Sequence, residues 1–122
     1  MGNKKVLAVL EDLFFSVKIN ESAKRSGLPV EFVKSEHDAL EKARACPALI
    51  IVDLNFGGID PVALISKLKA DEQTKAISVL GYVSHVQAEL KQQAQAAGAN
   101  MVLARSAFSQ NLAQILQRHS AA

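Results

Sequence analysis

The sequence of 122 residues holds one cysteine, Cys46. No internal disulfide can staple the fold, and a reducing, cytoplasmic setting is the default expectation. Long apolar runs are also missing. None approaches the roughly 20 residues of a membrane span, and Lys4-Lys5 is followed only by Val6 to Leu10, too short for the core of a secretory signal. Neither sign of charge dominates, since 14 basic and 12 acidic side chains leave a net charge of +2. That balance gives no electrostatic case for nucleic acid or a membrane surface as a partner. No linker, repeat or low-complexity stretch divides the chain, so a single domain over residues 1–122 is expected, with 49% apolar content to build its core. His37, His85 and His119 fall on separate segments without metal-ligand spacing. No glycine-rich phosphate loop follows the first apolar run, where Glu11-Asp12 would instead repel a phosphate.

What the chain does contain is alternation. Apolar, strand-like runs at 5–10, 29–34, 48–53, 77–83 and 100–104 are separated by segments of helical period at 13–26, 36–46, 61–70, 85–97 and 108–118. This is the pattern of an α/β fold with a doubly wound parallel sheet and helices on both faces. Gly27 and Gly98 have the positions of helix terminators, and Asp60-Pro61 reads as an N-cap followed by a first-turn proline. Phe14 and Phe15 are expected to divide into one core anchor and one surface aromatic.

Asp53 carries the most information. It ends the run Ala48-Leu49-Ile50-Ile51-Val52, and open α/β sheets place their chemistry at the carboxyl ends of buried parallel strands. Glu11-Asp12 follows another such run, so adjacent strands would gather three carboxylates in one crevice, the composition of a metal or phosphoryl site. Blander roles compete with each assignment. Asp53 could cap the loop that follows it, and Glu11 or Asp12 could serve a helix N-terminus. Gly57-Gly58 reads as a flexible turn before an anion nest, and Cys46 as a structural or tolerated thiol.

In order and spacing these residues resemble the response-regulator receiver domain, from Lys5 to about Leu116. The resemblance implies a flavodoxin-like three-layer sandwich with five helices and a five-stranded parallel sheet of order 2-1-3-4-5. It places Asp53 in the phosphoacceptor slot, with Glu11, Asp12 and Asp53 as candidate Mg2+ ligands. Mg2+ is the one cofactor it implies. Several positions depart from the family pattern. Val83 occupies the Ser/Thr slot at the end of the fourth strand, with Ser84 one residue late and directed elsewhere by strand alternation. Arg105-Ser106 stands in the Lys-Pro slot, and Val102 replaces the usual aromatic. The first-strand acids fit two registers, Leu10 with Glu11 or Glu11 with Asp12, and a leucine in a ligand slot would weaken metal binding.

The reading placed first is therefore an atypical response regulator, a pseudo-receiver that acts as a protein–protein interaction module and whose phosphoryl switch is degenerate. The alternative is a conventional regulator that takes phosphate from a histidine kinase onto Asp53 with Mg2+, Arg105 neutralising the phosphoryl oxygens. A flavodoxin-like small-molecule or flavin-binding domain is a third. No enzymatic activity is expected beyond self-phosphorylation and dephosphorylation at Asp53, and no output domain. Any output then falls to a target protein docked on helix 85–97, strand 100–104 and helix 108–118, with Ala94 on the docking face. Arg105 is left between pairing with Asp53 and pointing to solvent.

Overall fold

The computed structural model describes residues 5–84 and 87–120. Five parallel strands, β1 (Val6–Val9), β2 (Val30–Val33), β3 (Leu49–Asp53), β4 (Ser78–Val83) and β5 (Met101–Ala104), form one sheet in the order β2-β1-β3-β4-β5. They alternate with α1 (Leu13–Arg25), α2 (Glu36–Ala43), α3 (Pro61–Ala70), α4 (Ala88–Ala97) and α5 (Arg105–Ser120). The expected flavodoxin-like sandwich is thus the observed fold.

Side chains alternate across the sheet and feed two cores. Leu7, Val9, Ile50, Val52, Val79 and Val83 pack with α2, α3 and α4 through Ala39, Leu64, Ile65, Leu68 and Ala94. Val6, Ala8, Leu10, Leu49, Ile51, Leu80 and Tyr82 pack on the other face against Phe15 and Ile19 of α1 and Phe108 and Leu112 of α5. The central strands are buried on both sides, which is why β1 and β3 read as unbroken apolar runs.

Local chemistry sets the helix ends. Asp12 caps α1, accepting from the amides of Phe14 at 2.9 Å and Phe15 at 3.3 Å, while Asp60 caps α3 ahead of Pro61, accepting from Ala63 at 3.1 Å. Gly27 and Gly98 close α1 and α4 in the left-handed region, with φ of 74° and 115°. Phe15 is buried and Phe14 exposed, the expected division.

Three expectations need correction. The last helix begins at Arg105 rather than 108, with no loop after β5, because no helix-breaking residue follows Ala104 and α5 must start at once to bury Phe108. The fourth helix begins at Ala88, and His85 lies outside the described residues. Ala94 is fully buried beneath α4 and lies in the core, not on a docking face. Among the described residues no helix is long and apolar enough to cross a membrane.

Candidate functional site

The carboxyl ends of β1, β3, β4 and β5 lie along one edge of the sheet, and Glu11, Asp12, Asp53, Val83 and Arg105 stand at or just after those ends. Asp53 is the last residue of β3. Its Oδ1 accepts the amide hydrogen of Asn55 at 2.9 Å, a turn closed by the side chain. Half-burial raises its carboxyl pKa above the ordinary value, and the Asn55 hydrogen bond opposes this only in part. No ion pair to Asp53 occurs among the described residues.

Arg105, left by the sequence between Asp53 and solvent, is engaged elsewhere. Arg105, the first residue of α5, forms an ion pair with Asp12 Oδ2 and lies over the Phe15 ring, 4.6 Å from its centroid. Asp12 thereby does two things at once. Oδ1 caps α1 and Oδ2 holds the guanidinium, a bridge joining the start of α1 to the start of α5. Arg105 thus neither pairs with Asp53 nor is left to solvent.

The two registers of the first-strand acids separate in the same way. Leu10 is buried in the core against α1 and α5, whereas Glu11 is exposed and Asp12 is committed to the cap and to Arg105. Among the described residues no three of His, Cys, Asp and Glu come together as metal ligands. Of the three acids expected at the site, Glu11 and Asp53 have no ion pair among the described residues.

Val83 is buried on the α2/α3/α4 side of the sheet with Val52 and supplies no hydroxyl. Ser84 lies just beyond the strand, where alternation no longer governs direction. It lines an open cleft of about 520 Å³ with Phe14, Phe15, Ala104, Arg105 and Ser106. Its amide donates to Asn55 Oδ1 at 2.7 Å, and Asn55 Nδ2 donates to Gln87 Oε1 at 2.9 Å. Asn55 therefore ties the loops after β3 and β4 together. Sequence reading gave it no role, although its place two residues after Asp53 is the ordinary signal for an Asx turn.

The remaining candidates lie apart. His37 pairs with Glu41 on α2, and His119 sits near the end of α5, bonded to the Ala48 backbone, with burial lowering its pKa. Cys46 is exposed, with a left-handed φ of 58°. Gly57 and Gly58 have no positive φ, so the alternation of hands that a nest requires is missing. Val102 on β5 is buried and leaves no aromatic at that position.

The same fold and topology occur in solved response regulators. No protein-family model matches the chain, and no curated protein matches it. The chemotaxis response regulator CheY4 of Vibrio cholerae is 25% identical, covering 96% of this chain and 98% of that one, with a TM-score of 0.81. A putative response regulator from Chloroflexus aurantiacus is 23% identical over 98% and 99% of the two chains, with a TM-score of 0.84. The Mn2+-bound form of response regulator Rcp1 is 19% identical over 94% and 90%, with a TM-score of 0.78. The chain has the receiver-domain fold of the response regulators.

Proposed function

We propose that this chain is a receiver-type signalling module that works by binding partner proteins, its phosphoryl switch at Asp53 being degenerate. The observation that carries this is the Asp12–Arg105 ion pair, which engages the cation at the site with an acid other than Asp53. Val83 supports it, because it puts buried hydrocarbon where the resemblance implies a hydroxyl, and Leu10 does the same for a metal ligand in one of the two registers of the first-strand acids. The target-binding face is α4, β5 and α5, where Gln92 and Gln95 are exposed. Cytoplasmic placement and a histidine kinase as upstream partner belong to the same proposal.

Asp53 itself favours a second reading, phosphoryl acceptance. The half-buried carboxylate ends the central strand with one oxygen held by Asn55, which fixes the orientation of the group that would attack. In that reaction a carboxylate oxygen bonds to phosphorus while the donor's P–N or P–O bond breaks and the donor departs with the electron pair. Glu11 and Asp53 would hold Mg2+, whose charge would offset that of the phosphoryl oxygens.

Acetyl phosphate with Mg2+, read by intact mass, tests the two readings, with Asp53→Asn as control. The degenerate switch predicts no adduct of about 80 Da above the control, the mass a phosphoryl group adds in place of a proton. An Asp53-dependent adduct of high occupancy would replace it with the phospho-accepting reading.

A further inference from the structure

Tyr82 is 1% exposed, and its hydroxyl is the buried side-chain polar atom without a hydrogen-bond partner among the described residues. Such a group costs free energy and calls for an explanation. Its position supplies one. Tyr82 is the parallel register partner of Asp53 on the neighbouring strand. Strand alternation puts both on the α1/α5 face, Asp53 two residues beyond Ile51 and Tyr82 two beyond Leu80. Burial holds the phenol pKa above the ordinary value, and the Asp53 carboxylate adds to this electrostatically. The phenolic hydroxyl is a hydrogen-bond donor with nothing to donate to among the described residues.

The ring is firmly placed. It stacks on Phe108 at 4.8 Å with planes 2° apart, and it lies 5.2 Å from Phe15, the ring beneath Arg105. A hydroxyl-bearing side chain is thus carried at the strand position paired with Asp53, whereas Val83, the next residue, faces the opposite core.

We propose that Tyr82 is the hydroxyl donor of the Asp53 site, bonding to a phosphoryl-class group carried on Asp53 and passing that contact to α5 through its stack on Phe108. This rests on the phospho-accepting reading above. Tyr82 would be a positioning residue that compensates, from an unexpected strand position, for the missing hydroxyl of Val83.

The chain has one tyrosine and no tryptophan, so its intrinsic near-ultraviolet emission is dominated by Tyr82. Mg2+ and beryllofluoride would be titrated into the full chain, following that emission together with the amide signals of Asn55 and Phe108 by NMR. Tyr82→Phe and Asp53→Asn would be run alongside, with urea unfolding to check that each is folded. The expected result is a saturable emission change and shifts at both amides, absent in Asp53→Asn. In Tyr82→Phe, beryllofluoride should bind about tenfold more weakly, the loss of one hydrogen bond to a charged group, and the Phe108 shift should vanish while Asn55 still responds. Equal affinity and an intact Phe108 shift in Tyr82→Phe would overturn the role of Tyr82 alone. No response at Asn55 in the unmodified chain would overturn the phospho-accepting reading and this proposal with it.

Discussion

Replacing Asp12 separates the two tasks its oxygens perform. Asp12→Ala removes the acceptor for two amides at the start of α1, a cap worth about 1 kcal/mol. It also removes an ion pair whose side chains are 38% and 24% exposed, and solvent screening holds such a pair to roughly 0.5 kcal/mol. With the interaction between a carboxylate and the helix N-terminus, about 0.3 kcal/mol, the expected loss is about 2 kcal/mol. For a domain of this size that lowers Tm by roughly 6–12 °C. Asp12→Ser keeps a capping oxygen and gives up only the charge, so about 1 kcal/mol should be lost. Urea unfolding of Asp12→Ser, Asp12→Ala, Arg105→Ala and the double variants measures these terms, and the Asp12/Arg105 cycle should return a coupling of about 0.5 kcal/mol. The reasoning fails if Asp12→Ser costs as much as Asp12→Ala, for then the cap contributes nothing. It fails equally if the cycle shows no coupling, for then the bridge between α1 and α5 is energetically empty.

Lys69 should be a second point of sensitivity. Its ammonium donates to the carbonyls of Lys75 at 3.1 Å and Ile77 at 2.7 Å and to Asn100 Oδ1 at 2.8 Å. Lys69→Met should cost about 2 kcal/mol through the acceptors left unpaired, measured by urea unfolding. Gly98→Ala places a Cβ 2.6 Å from Lys69 Cγ at a φ of +115°, so a loss of at least about 1 kcal/mol is expected in the same assay. Asp53→Asn gives a pH signature. The folded pKa of Asp53 lies above the ordinary value of 3.8, so the folded chain holds the proton more tightly and Asp53 destabilises the fold as pH rises through that folded pKa. Asp53→Asn should therefore raise Tm at neutral pH, with the gain fading as pH falls toward 3.8. A gain independent of pH would refute the linkage. Tyr82→Phe should leave the resting protein as stable or up to about 1 kcal/mol more stable, because it deletes a buried hydroxyl with no acceptor.

Five strands, five helices and their order were legible because each signal is local. Apolar runs of strand length, helical spacing and residues such as Asp60-Pro61 and Gly98 act within a few positions of themselves. Asp53 at a strand end was legible for the same reason. Where expectation and structure part, packing had intervened. Ala94 has the small side chain of an accessible face, but α3 and the sheet bury it. The early start of α5 follows from Phe108 reaching the core, which no residue near Arg105 announces.

The site divides along the same line. By itself the sequence determined which chemical groups reach the carboxyl edge of the sheet, since strand ends follow from local pattern. It also placed Val83 where the resemblance implies a hydroxyl. Only the tertiary structure decided which groups pair. Asp12 and Arg105 are 93 positions apart, and their contact depends on how α1 and α5 pack side by side over the aromatic layer of Phe15, Tyr82 and Phe108. An ion pair is chosen by distance and burial in the assembled fold, and those arise only when β1 and β5, separated by β3 and β4, are drawn into one sheet.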